Sequence, residues 1–265
     1  MTRAVAVGFS CVDVYENINR WYPTGNGIDW GVHLSRLGIS VAVVSAVGKD
    51  EYGKKMREVL SKERIDVSQL EETDGDTCRM IMALKNGVDR VHLKEISGVM
   101  ENYTITEKQF EYASTFDYLH TDLFGGVLGY LKKWHDRGVK IIMDFSTFTK
   151  DPEFDCMSIF PNVDYVFFSA DGFSIEELKE WMKQIKAVGP QIVTATMGEK
   201  GSLSYDGKNF YEMGIVKTDV INTVGAGDSY IAGFTYGIMN GLSISDCMKK
   251  GAEISAGVVA KFEPY

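Results

Sequence analysis

Residues 222–234, NTVGAGDSYIAGF, run from small glycine-rich residues into an acid and then into an apolar pattern of helical period. The spacing from Ile231 onward predicts a helix that begins near Gly225 and ends before Asn240. Small residues at a helix N-terminus expose backbone N–H groups, which attract an anion together with the helix dipole. Asp228 in the first turn is therefore either a helix cap or a carboxylate placed beside a bound anion.

The length and charge of the chain limit the classes of function that are open to it. Its 265 residues suit one α/β domain, since single domains of this class reach about 250 residues. With 37 acidic against 28 basic residues the net charge is −9, and no basic block indicates nucleic acid or an anionic membrane as a partner. The four cysteines lack metal-binding or disulfide spacing, and neither a signal peptide nor an apolar run of about 18 residues is visible. We expect a cytoplasmic protein that acts on small molecules.

Apolar β-branched runs alternate with amphipathic helical patterns along the chain. The predicted strands are AVAVG, VAVVSAV, YLHTD, VKIIMDF, VDYVFFS and QIVTATM. This alternation predicts a doubly wound, mostly parallel sheet flanked by helices. Between Cys78 and Ile96, two strand-like runs flank Asn86-Gly87, a dipeptide typical of a tight hairpin. We therefore predict a single domain, residues 1–265, with a small β-sheet lid built from residues 14–23 and 77–97.

The glycine-rich stretch suits phosphoryl transfer, which needs donors for the transferred group and a base for the acceptor hydroxyl. The chain has no GxxxxGK[ST] loop and lacks the motif set of protein kinases. A dehydrogenase is disfavoured because the first strand is followed by GFSCVD, not by GxGxxG. Two hypotheses for the function are therefore a small-molecule kinase and a non-catalytic protein that binds a sugar or a nucleotide.

Motifs spread along the chain resemble those of the PfkB (ribokinase-like) carbohydrate kinases. NTVGAGDSYIAGF resembles the signature D-T-x-G-A-G-D-[ST]-F, TGNGIDWGVHLSRLG resembles G-G-N-A-x-N-x-A with its following L-x-x-L-G, and VGKDEYG resembles V-G-x-D-x-x-G. The resemblance implies a ribokinase-like sugar kinase that uses ATP and Mg²⁺. It also implies Asp228 as the catalytic base and the N–H groups of Gly225, Ala226 and Gly227 as the anion hole.

The same resemblance implies residues for the acceptor and for the nucleotide. Asp13, Gly25, Asn26 and Asp29 become substrate-binding residues, although a turn cap at Asp13 and a positive φ at Asn26 are local alternatives. Arg90 on the lid is a candidate for the far end of the substrate, and solvation is the alternative for so exposed a charge. TMGEKGS, residues 196–202, resembles the T-x-G-x-x-G-S loop beside ATP, while a plain turn explains it as well. The nucleotide-binding residues are then Thr196, Gly198, Gly201, Ser202 and Ala256, where close helix packing is the alternative for Ala256.

Several residues depart from the family pattern. Asn222 replaces the usual Asp next to a loop that often holds a monovalent cation, which puts such a cation in question. Thr24 replaces the first glycine of the sugar motif, and Asp29 replaces its second asparagine. A carboxylate at residue 29 accepts hydrogen bonds only, so it favours donors, a cationic amine among them. The N-x-x-E motif that helps to organise Mg²⁺ is missing near Ser169, so the sequence identifies no metal ligand.

Within the family the chain is most similar to the fructoselysine kinases, through DFS at residues 144–146, SA at 169–170 and SGVM at 97–100. This similarity implies phosphorylation of the 6-hydroxyl of a ketosamine such as fructoselysine. Fructose, a nucleoside or another small alcohol is the alternative acceptor. His120 and Asp122 end a predicted strand near the ligand crevice of doubly wound sheets, with a structural role as the first expectation. The small lid sheet, together with the resemblance, predicts a homodimer.

Overall fold

The computed structural model describes residues 2–85 and 89–265, with no side-chain description for residues 84–90. Its main element is a nine-stranded sheet in the order β13-β12-β11-β10-β9-β8-β1-β4-β5, and a four-stranded sheet in the order β3-β2-β6-β7 stands beside it. The strands are β1 (Arg3–Val7), β2 (Cys11–Tyr15), β3 (Arg20–Thr24), β4 (Ser40–Gly48), β5 (Asp66–Thr73), β6 (Arg79–Lys85), β7 (Asp89–Ile96), β8 (Tyr118–Thr121), β9 (Lys140–Asp144), β10 (Tyr165–Ser169), β11 (Ile192–Thr196), β12 (Ser202–Tyr205) and β13 (Phe210–Met213).

Eight α-helices are assigned within the described residues. Four of them begin after a side-chain cap, for example α6 after Ser174, where a reciprocal bond with Glu177 completes a capping box. Within the described residues, no helix is both long and apolar enough to cross a membrane. The helices are α1 (Asn26–Arg36), α2 (Glu51–Lys62), α3 (Glu107–Ala113), α4 (Leu131–Asp136), α5 (Cys156–Ile159), α6 (Ile175–Ala187), α7 (Ala226–Met239) and α8 (Ile244–Val259).

The large sheet is parallel from β5 to β11, and only β12 and β13 are antiparallel at one edge. β1 pairs with β4 on one side and with β8 on the other, with Val5 opposite both Ala42 and Leu119. The chain order reverses at β1 and β8, so the crevice beyond the carboxyl ends of these two strands is where such sheets bind ligands. The predicted doubly wound, mostly parallel sheet is confirmed.

Two hydrophobic cores cover the two faces of the large sheet. On one face α1, α2, α7 and α8 pack through residues such as Trp30 and Phe234, whose ring lies 5.2 Å from Phe167 of β10. On the other face α3 to α6 pack around Trp134, whose ring stacks on Phe110 at 5.5 Å. Burial of large apolar side chains on both faces is the main force that holds the layers together.

The small sheet lies over the site end of the large sheet. β2 pairs antiparallel with β3 and parallel with β6, and β6 pairs antiparallel with β7. Buried Tyr15, Tyr22 and Met82 pack against Val224, in the loop before α7. The lid therefore rests on the glycine-rich loop. Its first strand begins at Cys11 rather than near residue 14, and the predicted Asn86-Gly87 turn lies outside the described residues.

Candidate active site

The glycine-rich stretch forms the N-terminus of α7. Gly225 has φ 71°, a left-handed conformation that suits glycine, and no described side chain caps the helix. A Cβ at Gly225 would lie 2.7 Å from the Cβ of Pro264, whereas a Cβ at Gly227 would meet nothing within 4 Å. Asp228 is half-buried in the first turn. This helix end therefore offers open space in front of Gly227, with a carboxylate beside it.

The backbone around Ala226 is partly committed to other bonds. The N–H of Ala226 donates to the carbonyl of Thr223 over a long 3.3 Å. The Ala226 carbonyl accepts hydrogen bonds from the hydroxyls of Ser229 and Ser255, both at 3.0 Å. The Ser229 bond lies within α7 and the Ser255 bond comes from α8, so both helices hold the first turn of α7 in place. The Ala226 N–H reaches an incoming anion only if it leaves its weak bond to Thr223.

A second helix N-terminus, that of α1, faces the same crevice. Gly25 precedes it with φ 130°, and a Cβ there would lie 3.2 Å from backbone atoms of Phe9 and Ser10, so only glycine fits. Asn26, the first residue of α1, donates from Nδ2 to Oδ2 of Asp144 at 3.3 Å. Asp144 ends β9, and this bond links the sugar motif to the carboxyl edge of the sheet.

The two departures from the sugar motif contact each other. The Thr24 hydroxyl donates to Oδ2 of Asp29 at 2.7 Å, and both side chains are buried. Where the family pattern has a glycine and an asparagine, this chain therefore has a hydroxyl and a carboxylate that form a hydrogen bond. Because Oδ2 of Asp29 accepts this bond from Thr24, the carboxylate is held in one orientation.

Three carboxylates act on the buried thiol of Cys11. Burial holds the pKa of the Cys11 thiol well above its usual value, and the negative charges of Asp13, Asp29 and Asp122 raise it further. Burial raises the pKa of Asp122 to about 7, opposed by the N–H of Phe124, which donates to its Oδ1 at 2.8 Å. These side chains come from β2, α1 and the end of β8, which meet only in the folded protein.

Asp144 is a site residue that sequence reasoning did not select. Burial raises its pKa to about 6, while the N–H of Ser146 lowers it by donating to Oδ1 at 2.8 Å. Ser146 holds φ 47°, a left-handed conformation uncommon outside glycine and typical of constrained sites. The available signal was an acid at the carboxyl end of a predicted parallel strand.

His120 packs in the core of the protein. It is fully buried, its ring stacks on Trp30 at 4.7 Å, and burial lowers its pKa to about 3. His120 is therefore neutral and belongs to the floor beneath the crevice. Asp122, two residues later, lies at the crevice itself, at the carboxyl end of β8.

The predicted nucleotide loop follows β11, although its side chains differ in exposure. Thr196 ends the strand half-buried, and Gly198 has φ 55° with open space at its Cβ position. Gly201 has φ 88°, and a Cβ there would lie 2.0 Å from the carbonyl oxygen of Met213. Ser202 is buried, and its hydroxyl lies 2.8 Å from the hydroxyl of Tyr230. Ser202 thus links the loop to α7.

The small residues of α8 have two different surroundings. A Cβ at Gly251 would lie 2.8 Å from the carbonyl oxygen of Tyr230, so close packing of α7 on α8 requires glycine there. Ala256 is half-buried, and the neighbouring Gly257 is exposed, with nothing within 4 Å of its Cβ position. Helix packing therefore explains the glycine at residue 251, whereas open space lies beside Ala256, at Gly257.

A magnesium ion carried by a nucleotide fits the described residues better than a protein cage would. Within the described part of the chain, no three His, Cys, Asp or Glu side chains are grouped to hold a metal. Mg²⁺ commonly binds through phosphates and water with one or two carboxylates, so such a cage is not required. Asp228 is the carboxylate nearest to the predicted phosphate position in sequence. The side chain of Arg90 lies outside the described residues.

A cavity of about 500 Å³ lies away from this crevice, between α6 and the loop that follows β9. Its lining includes Trp181 and Phe154, with Glu177 and Asp155 at the surface. It belongs to the helix layer opposite α1 and α7, so it has no part in the site described above.

Comparison with known proteins gives consistent matches over the length of the chain. The sequence model described as pfkB family carbohydrate kinase matches residues 19–265. A fructoselysine 6-kinase from Shigella flexneri is 30% identical over 259 residues, covering 98% of both chains. The fructosamine kinase FrlD from Bacillus subtilis is 30% identical, covering 96% of this chain and 89% of its own. Among solved structures, the adenosine kinase from Sinorhizobium meliloti superimposes with a TM-score of 0.87 at 16% identity, covering 99% and 95% of the two chains.

Proposed function

Because the chain belongs to the pfkB family of carbohydrate kinases and is a sugar kinase, we propose that it phosphorylates the 6-hydroxyl of a fructosamine such as fructoselysine. The γ-phosphoryl group comes from ATP. Two relatives at 30% identity, a fructoselysine 6-kinase and a fructosamine kinase, support this choice of acceptor.

The acidic character of the acceptor side carries the proposal. Burial raises the pKa of both Asp122 and Asp144, the charge of Asp144 raises that of Asp122 further, and no basic side chain among the described residues offsets the charge on either. A fructosamine has a secondary amine that is protonated near neutral pH, so its charge would complement these carboxylates. Its hydroxyls would donate to the remaining carboxylate oxygens.

The same charge disfavours an acceptor that is already phosphorylated. A 1-phosphofructokinase from Haemophilus influenzae is among the relatives at 27% identity. A phosphate group placed among Asp13, Asp122 and Asp144 would meet like charges in a partly desolvated crevice, which is unfavourable. Neutral fructose, a nucleoside or another small alcohol remains the alternative acceptor.

In the proposed mechanism the chain supplies positioning, a base and an anion hole. Asp228 accepts the proton of the acceptor hydroxyl late, as the new O–P bond forms, because the hydroxyl pKa is far above neutrality. The N–H groups of Gly225, Ala226 and Gly227 donate to the transferring phosphoryl, helped by the dipole of α7. Mg²⁺ carried with the nucleotide would neutralise part of the phosphate charge. Asp13, Gly25, Asn26, Asp29 and Arg90 bind the acceptor, and Thr196, Gly198, Gly201, Ser202 and Ala256 border the nucleotide.

The decisive experiment measures ADP release with Mg-ATP and ε-fructoselysine, with fructose and adenosine as parallel acceptors. Asp228→Asn should abolish turnover, because the amide cannot accept the proton. Asp136→Asn, on the exposed surface of α4, is the matched control and should keep full activity. Turnover with another acceptor alone would refute the fructosamine proposal. Nucleotide binding without any turnover would favour a binding protein.

We also propose that the chain forms a homodimer through the lid. Ile18, Val91 and Leu93 are exposed apolar side chains of the small sheet and its first turn, with Leu93 61% exposed. A small sheet buries little apolar surface by itself, so a second copy would cover these side chains. Light scattering at micromolar concentration tests this proposal, and a monomer would refute it.

A further inference from the structure

Residues 262–265, here called the strap, lie between the lid, α1 and the glycine-rich loop. Phe262 packs with the lid residues Tyr15 and Tyr22, at ring distances of 5.3 and 6.1 Å. The guanidinium of Arg20, on β3, lies 3.9 Å from the centre of the Phe262 ring and forms an ion pair with Glu263. The strap therefore contacts the lid through both apolar and charged groups.

The strap also contacts the last turn of α1, the strand β3 and the start of α7. His33 of α1 donates from Nε2 to the Pro264 carbonyl at 2.9 Å, and burial lowers its pKa to about 4, so the ring is neutral with its proton on Nε2. Pro264 also fills the space in which a Cβ at Gly225 would lie. The Tyr265 hydroxyl donates to the carbonyl of Pro23 at 2.7 Å. One short segment thus joins α1, β3 and the start of α7.

Asn222 attaches the glycine-rich loop to this strap. It is 1% exposed, its Nδ2 donates to the Phe262 carbonyl at 2.8 Å, and its Oδ1 accepts from the N–H of Val224 at 3.1 Å. Only an amide makes both bonds, because a carboxylate has no donor for the Phe262 carbonyl. Asp at this position would place two oxygens against each other, and they would need a cation, a proton or a water molecule between them.

The donor set at residue 222 therefore does not fit a monovalent cation. A cation bridging residue 222 to the strap would need an oxygen of residue 222 next to the Phe262 carbonyl, and the Nδ2 donor of Asn222 lies there instead. The Asn222 amide joins the loop to the strap by a direct hydrogen bond, whereas two facing oxygens would need an ion between them to make the same connection.

We propose that Asn222 and Phe262 are positioning residues for phosphoryl transfer, and that the Asn222 amide supports the glycine-rich loop without a monovalent cation. The proposal rests on the proposed role of the α7 N-terminus as the anion hole. The loop packs Val224 against the lid and Gly225 against Pro264. Displacement of Asn222 from Phe262 would move both contacts and with them the first turn of α7.

The test compares wild type with Asn222→Asp in about 100 mM potassium chloride and in about 100 mM tetramethylammonium chloride, at equal ionic strength. Wild type should show the same Tm and the same kcat in both salts. Asn222→Asp should lose about tenfold in kcat in tetramethylammonium, equivalent to about one hydrogen bond, and should recover in part with potassium. Asn240→Asp is the control, since Nδ2 of Asn240 also donates to a backbone carbonyl but at the far end of α7.

The Tm comparison needs no substrate, so it separates this proposal from the choice of acceptor. If fructoselysine is not turned over, kcat is measured with whichever acceptor is active. A wild-type enzyme that needs potassium for activity, or an Asn222→Asp variant that behaves as wild type in both salts, would overturn the proposal. Phe262→Ala gives a second test, with faster hydrogen exchange at the Val224 amide and lower kcat expected; unchanged exchange would contradict the positioning role.

Discussion

Substitution of Asp122 by Asn should make the protein more stable near pH 8 than wild type. Asp122 is 4% exposed, and burial raises the pKa of its carboxyl from 3.8 to about 7. Between these two pKa values the folded state therefore holds a proton that the unfolded state has already released. This contribution to stability is complete below pH 3.8 and is lost as pH rises through about 7.

The expected magnitude follows from the width of that pH window. Each pH unit between the two pKa values costs wild type about 1.4 kcal/mol, or about 4 kcal/mol over the whole window. Asn at this position has no charge to bury, and its amide oxygen keeps the hydrogen bond from the N–H of Phe124. The advantage of Asp122→Asn should therefore be a few kcal/mol near pH 8 and fall to roughly 1–2 kcal/mol near pH 5.

Urea unfolding of both proteins near pH 5 and near pH 8 measures this difference. Asp136→Asn is the control, because Asp136 is exposed and pairs with Lys132 on the surface of α4. Its effect should stay within about 1 kcal/mol at both pH values. A variant that is less stable than wild type near pH 8, or whose advantage is the same at both pH values, would refute the reasoning. Activity should fall in Asp122→Asn even as stability rises, since the carboxylate belongs to the proposed acceptor site.

Three further substitutions test other parts of the structure. Gly225→Ala should lose about 1–3 kcal/mol of stability and lower kcat, because its φ of 71° and Pro264 at 2.7 Å disfavour a Cβ; unchanged thermal unfolding would contradict this. Trp134→Ala should cost about 3–5 kcal/mol in urea unfolding while KM values stay unchanged, because Trp134 is fully buried on the far face. Thr24→Val should raise the KM of the acceptor roughly tenfold, because Asp29 loses its hydrogen bond. Equal changes in the KM of ATP would argue against a role confined to the acceptor.

Local sequence signals were sufficient for the elements that carry regular periodicity. The buried strands β1, β4 and β8 to β11 are near-continuous apolar runs, as expected of parallel strands covered on both faces. β5 was not predicted, because it lies at the edge of the sheet and DVSQLEET is mostly polar and exposed. The start of α7 was predictable because small residues precede an apolar pattern of helical period.

The sequence by itself determined the fold class, the family and the start of α7 near Gly225, because each is carried by local motifs or by the periodicity of neighbouring residues. The contact of Thr24 with Asp29, the grouping of carboxylates around Asp122, and the bond between Asn222 and the strap were decided only by the tertiary structure. In the sequence Asn222 is only a departure from the family motif, and folding brings it to the carbonyl of Phe262, forty residues later. Burial also belongs to the folded protein alone, since the pKa of Asp122 shifts only when the folded chain excludes water from its carboxyl.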